Sequence, residues 1–114
     1  MTDCLFCKIA AGEIPADKVY EDDQLLAFKD IQPKAPVHIL LIPKVHIDSL
    51  GAAGAEHTEL LGQMMLKAAQ IAKEQGLNEG FRLVTNTGPG GGQEIAHLHY
   101  HILGDVRDTQ WRGL

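Results

Sequence analysis

The sequence predicts an α+β fold: a five-stranded antiparallel sheet with one long and one short helix. Three observations carry this reading. Five short runs have the apolar and β-branched character of strands. The connections between them are mostly too short for the crossovers that parallel strands require. One stretch, Ala55 to Gln75, repeats apolar residues at helical spacing.

Along the chain, Asp3 is placed to N-cap a short helix over Cys4–Ala11, and Gly12 to end it in the left-handed conformation. Pro15 forces an extended exit. Val19–Glu21 and Leu25–Phe28 read as strands of a hairpin around Asp22-Asp23, and Gln32–Pro36, with two prolines, reads as loop. His38–Ile42 has the apolar content of a central strand, closed by Pro43. In the long helix, Leu60, Leu61, Met64, Met65, Ala68, Ile71 and Ala72 form one stripe, and Gly76-Leu77 fits a glycine C-cap followed by an apolar contact. Phe81–Thr85 and His97–Leu103 are the last two strands, separated by the glycine-rich Gly88–Gly92.

The 114 residues suit a single domain spanning 1–114. An apolar fraction of 45% and a charged fraction of 22% argue against both a disordered and a membrane protein. The longest apolar run, Ile39–Pro43, is a strand's length. The start Met1-Thr2-Asp3-Cys4 lacks the basic and apolar regions of a secretory leader, so a cytoplasmic location is expected. A net charge of −5 argues against general nucleic-acid binding but leaves room for a small phosphorylated ligand in a locally positive pocket. Cys4 and Cys7, with two residues between them, suit a metal or redox pair, or two buried thiols on a first helical turn.

The chemistry is concentrated in His97-Leu98-His99-Tyr100-His101-Ile102-Leu103. Read as a strand, it turns three imidazoles to one face and Leu98, Tyr100 and Ile102 to the other. Imidazole can act as nucleophile, proton donor or metal ligand near neutral pH, so three on one face suggest a reactive surface. Upstream, Gly88-Pro89-Gly90-Gly91-Gly92-Gln93-Glu94 is neither a Walker loop nor a dinucleotide fingerprint. Its backbone N–H groups are expected to form an anion-binding concavity beside the histidines.

This alternation of histidine with apolar residues resembles the histidine triad hydrolases, in particular their Hint-like branch. The resemblance extends through Cys4–Ile9, Glu13–Pro15, Tyr20–Asp23, Phe28–Ile31, Ala35–His38, Ile42–Lys44 and Gly91–Gln93. It implies a homodimer whose two sheets join into one, and hydrolysis of purine nucleoside phosphoramidates through a nucleotidyl-histidine. His99 is then the nucleophile, with its Nδ1–H held by the His97 carbonyl, and His101 and the loop amides stabilise the phosphate. His38 corresponds to a further active-site histidine. Asp30 and Ile31 correspond to ribose and base contacts, and Asn86, Gly92, Gln93 and Glu94 to phosphate-side contacts. No cofactor is implied for catalysis. Some relatives with the paired cysteines bind structural zinc, which here would use Cys4, Cys7, His46 and His97.

The chain departs from the family pattern in two places. Glu94 stands where many relatives have serine and some bacterial ones an acid, and a carboxylate there disfavours phosphate unless it faces an amine or stays protonated. The tail from Gly104 lacks the usual Gly-Gly-Arg and Trp-Pro-Pro-Gly segments, leaving Trp111 as a residue that could reach a partner's site. Two other readings compete: a zinc protein, including a metal held by the histidine row itself, and a nucleotide-binding interaction module with weak catalysis.

Overall fold

The computed structural model describes residues 3–108. Helix α1 (Leu5–Ala10) is followed by strands β1 (Lys18–Glu21), β2 (Leu25–Lys29) and β3 (Val37–Pro43). The long helix α2 (Thr58–Glu74) comes next, then β4 (Phe81–Val84) and β5 (Tyr100–Gly104). The five strands form one sheet in the order β1-β2-β3-β5-β4, and every neighbouring pair is antiparallel. No helix among the described residues is long and apolar enough to cross a membrane.

Both faces of the inner strands are covered. Leu25 and Ala27 of β2, Ile39 and Leu41 of β3, and Tyr100 and Ile102 of β5 pack with Met64, Ala68, Ile71 and Ala72 of α2. The alternate residues Leu26, Phe28, Leu40 and Ile42 meet Phe6 and Ile9 of α1 on the opposite face. Burial on two sides explains why β3 reads as a continuous apolar run, since alternation is expected only where one face meets water. The short helix therefore builds the second face of the core.

Element ends moved where tertiary contacts outweigh local signals. Cys4, not Asp3, caps α1, its Sγ accepting from the Cys7 N–H at 3.3 Å. Ala55–His57, expected to open the long helix, is a 3₁₀ turn, and Gly54 N–H donates to His57 Nδ1 at 3.0 Å. Gly12 and Gly76 take φ of +80° and +81°, the left-handed helix ends the sequence called for. β5 begins at Tyr100 rather than His97. The segment before it is held by the neighbouring loop, with Leu98 N–H donating to the Ile47 carbonyl at 2.6 Å. The face alternation nevertheless continues: Leu98 and Tyr100 lie in the α2-side core.

Candidate active site

Between α1, the end of β2 and the glycine loop lies a cleft of about 1010 Å³. Leu5, Phe6, Ile9, Phe28 and Leu40 supply an apolar wall, and Asn86, Glu94, His99 and His101 a polar end. That combination suits a planar base at one end and a reacting polar group at the other. Asp30, Ile31, Gly92 and Gln93 also line the cleft, and Ile31 is 94% exposed at its rim. The α1 wall escaped the sequence reading. Its signal was the apolar trio Leu5, Phe6 and Ile9, too many for a helix that covers only one strand face.

The histidine row does not act as three equivalent rings. His97 is fully buried and takes no part in the cleft, correcting the expectation of three imidazoles on one surface. Its Nδ1 is 3.3 Å from Cys4 Sγ and 3.5 Å from Cys7 Sγ, so it serves the cysteine cluster. His99 donates Nδ1–H to the His97 carbonyl at 2.7 Å, which leaves Nε2 as the unprotonated nitrogen. Its ring meets the edges of Phe6 and His101 at 5.1 and 5.0 Å. On β5, His101 faces Leu40 and lies beside His38, its Nδ1 2.9 Å from His38 Nε2.

Backbone hydrogen bonds settle the tautomers of this pair. Lys34 N–H donates to His38 Nδ1 at 3.0 Å, so the His38 proton is on Nε2. That Nε2–H donates to His101 Nδ1, which places the His101 proton on its own Nε2. Asp30 lies 3.4 Å from the same His38 nitrogen. His38 is buried outside the cleft and meets it through His101 and Asp30.

Burial, followed by the neighbouring His99 and His38, pushes the His101 pKa down to about 4, and burial lowers His38 as well. Asp30 opposes both shifts and Lys34 adds to them. Both rings are thus neutral donors or acceptors at pH 7. The unfolded chain takes up these protons near pH 6.5 and the folded chain only lower, so stability should fall as pH drops from about 6.5 towards 4. Urea midpoints should be flat above that window and decline within it, and His101→Asn should reduce the decline. An unchanged profile in the variant would count against this assignment.

The glycine loop differs from the expected concavity. Gly91 and Gln93 N–H donate to the Gly88 carbonyl and Gly92 N–H to that of Pro89, so these amides are engaged within the loop. Gly88 and Gly92, at φ of +69° and +82°, make this turn possible. The Gln93 side chain accepts from Gly88 N–H and donates to the Asp48 and Ile95 carbonyls, so its polar atoms brace the loop at the edge of the cleft. Asn86 donates to the Gly91 carbonyl at 2.7 Å. Glu94 has no hydrogen-bonding or ionic partner among the described residues and leaves a bare carboxylate at the polar end. Trp111 lies outside the described residues.

Two clusters have metal-ligand composition among the described residues. In Cys4, Cys7, His46 and His97 the donor atoms lie within 4.8 Å of one another, with Cys7 Sγ 3.2 Å from His46 Nδ1. Such separations suit the edges of a zinc tetrahedron with bonds of about 2.0–2.3 Å. His97 Nε2–H donates to the Pro43 carbonyl at 2.8 Å and His46 Nε2 meets Asp48 at 2.6 Å. Both rings therefore present an unprotonated Nδ1 inward, as metal-bound histidines do. Burial and the neighbouring Cys4 hold the Cys7 thiol up at about 11, a value that a bound cation would reverse. The second cluster, Asp30, His38 and His101, has the opposite chemistry. The Lys34 N–H occupies His38 Nδ1 and so forces a proton onto the nitrogen that would ligate. A metal held by His97, His99 and His101 together is also at odds with the structure, which sends those rings to three different partners.

The family model described as "Scavenger mRNA decapping enzyme C-term binding" matches residues 3–113. Protein HitA of Neisseria gonorrhoeae is 62% identical over 104 residues, 91% of this chain and 97% of that protein. The purine nucleoside phosphoramidase of Escherichia coli K12 is 50% identical, covering 88% of this chain and 85% of that one. The 14 kDa zinc-binding protein of Brassica juncea is 50% identical over 96% of this chain and 97% of its own. Among solved structures, a HIT family hydrolase from Legionella pneumophila superposes with a TM-score of 0.91 at 48% identity, covering 97% of this chain and all of that one. The fold, cleft and relatives together define a hydrolase. The chain belongs to the histidine triad (HIT) family.

Proposed function

We propose that the protein is a nucleoside phosphoramidase that cleaves the P–N bond of purine nucleoside phosphoramidates in two displacements at phosphorus. The observation that carries this reading is His99: the His97 carbonyl holds its Nδ1–H and leaves Nε2 as the attacking nitrogen. In the first step Nε2 bonds to the α-phosphorus and the P–N bond breaks. The departing amine takes its proton from water, while the Nε2–H that the adjacent His101 presents donates a hydrogen bond that stabilises the charge developing at the reacting centre. Water then cleaves the nucleotidyl-histidine, releasing a nucleoside monophosphate and free His99. In this reading the apolar wall takes the purine and Asp30 the ribose. The phosphoramidase at 50% identity supports the choice of substrate. The test is a rate profile of adenosine 5'-phosphoramidate against diadenosine polyphosphates and nucleotidyl-sugars. Preference for either of the latter would overturn the assignment.

Glu94 bears on the leaving group. Its carboxylate, without a partner among the described residues, repels additional phosphate and favours an amine, in particular a cationic one. At a separation of roughly 4 Å in water-like surroundings the effect is about 1 kcal/mol, or about fivefold in rate. Glu94→Ser should therefore shift kcat/KM between cationic and neutral amines by about that factor, with little change in AMP affinity. An equal change for all leaving groups would show that the carboxylate serves only solvent.

The same proposal includes a homodimer joined along β4 and zinc in the Cys/His cluster. Of the two sheet edges, β1 carries a register irregularity and the Lys18–Glu21 pair, devices that discourage pairing. β4 is regular, with Phe81 40% exposed, and Met65 and Leu66 of α2 are exposed as well. Sedimentation should give twice 12.4 kDa at micromolar concentration, and a stable monomer would refute the dimer.

A further inference from the structure

His97 belongs to two sites at once. Its side chain joins Cys4 and Cys7, while its backbone carbonyl accepts the proton that orients His99. Phe6, between the two cysteines in sequence, makes a second link, meeting the edges of the His97 and His99 rings at 5.9 and 5.1 Å. The adjoining Leu98 is tied through its N–H to Ile47, next to the third member of the cluster, His46. We propose that the Cys4–Cys7–His46–His97 cluster is a zinc-dependent clamp that positions the His99 nucleophile, with His97 as the positioning residue. The inference rests on the nucleophile and zinc readings above.

The physical case is one of constraint. Helix α1 has six residues, too few to be stable by its own hydrogen bonds. Its Phe6 must be fixed to hold the His99 ring, and its Leu5 and Ile9 must be fixed to wall the cleft. The residues from His97 to His99 precede β5 and have no ladder of their own. A tetrahedral metal would pin both segments to one point, through Cys4 and Cys7 on one side and His97 on the other. Without it, the His97 carbonyl can turn away from Nδ1–H, and His99 can then exchange tautomer and rotamer. A nucleophile displaced by about 1 Å can lose about 10²-fold in rate.

This changes what His97→Ala should do. Alanine retains the carbonyl, so carbonyl orientation alone would make the change mild. Under the clamp it should remove the zinc, lower kcat by about 10–100-fold, and mix the His99 tautomers in the imidazole ¹⁵N spectrum. His97→Cys is the discriminating variant, because a thiolate restores a fourth ligand and leaves the backbone intact. It should recover zinc, the single His99 tautomer and most of kcat.

The experiment measures zinc per chain, kcat and KM for adenosine 5'-phosphoramidate, and the His99 ¹⁵N signature in the wild type and both variants. If His97→Ala does not fold, stripping and restoring zinc in the wild type replaces it, with kcat and the spectrum expected to change and return together. A wild-type chain without zinc overturns the clamp. So does zinc loss that leaves kcat and the His99 tautomer unchanged. A wild-type chain that turns over without a nucleotidyl adduct on His99 overturns the nucleophile reading, and the clamp with it. A chain that has both zinc and adduct but is indifferent to His97→Ala overturns the clamp alone.

Discussion

Replacing His99 with alanine is expected to lower kcat by roughly 10⁴-fold or more, the scale of removing the nucleophile from a covalent mechanism. Binding of AMP should change little. His99 is only 6% exposed, and the apolar wall keeps its side chains, Phe6 alone among Leu5, Phe6, Ile9 and Phe28 losing a ring contact to the change. Loss of rate without loss of affinity is the signature of a group that acts in the transition state rather than in binding. Rapid quench with labelled substrate, followed by mass spectrometry, should find a nucleotidyl adduct on His99 in the wild type and none in the variant. Turnover in the wild type with no adduct would exclude the covalent route.

His101→Ala should have the second largest effect, about 10²–10³-fold on kcat, as expected for loss of one aimed donor. The structure gives a reason to separate this ring from its neighbour. Lys34 N–H fixes His38, and His38 Nε2–H fixes His101, so the proton His101 offers stands at the end of a two-ring chain that starts in the backbone. His38→Ala should therefore cost rate as well, but less than His101→Ala, because it frees the tautomer of His101 without removing the donor. The cost should fall mainly on substrates with poorly leaving amines, on which the most charge develops and for which the donor matters most. If the two variants are equal for good and poor leaving groups alike, His101 is not the hydrogen-bond donor to the leaving group.

Much of this was legible in the residues. The periodicity of Leu60 to Ala72 located α2, since an amphipathic stripe is a local property that survives into the fold. Gly12 and Gly76 marked helix ends because the left-handed conformation is cheap for glycine wherever it lies. The period-two alternation from His97 to Leu103 was right about faces even where the ladder had not begun. Leu98, Tyr100 and Ile102 all reached the α2-side core.

The sequence misled where one residue served a partner distant in the chain. Asp3 is the better intrinsic cap, yet Cys4 takes the position, because its sulfur is also held by His97, 93 residues away. The glycine loop suggests an anion-binding concavity, but a turn tight enough to need Gly88 and Gly92 folds the Gly91, Gly92 and Gln93 amides onto its own carbonyls. The wall of the cleft was missed for a related reason. Leu5, Phe6 and Ile9 line the cleft only because α1 is laid against β2 and β3.

The sequence by itself determined the order and type of the main elements and which face of the histidine row turns away from the α2-side core. It also carried the family, through motifs spread along nearly the whole chain. These are properties of spacing, fixed by a backbone that repeats every two or every 3.6 residues. Only the tertiary structure decided how the three histidines divide their work. Tautomer, burial and reach depend on which carbonyl, amide or thiol stands opposite each ring, and those groups come from Pro43, Lys34, His38, Cys4 and Cys7. No local pattern encodes such pairings, because they exist only after the sheet has brought distant segments within hydrogen-bonding distance.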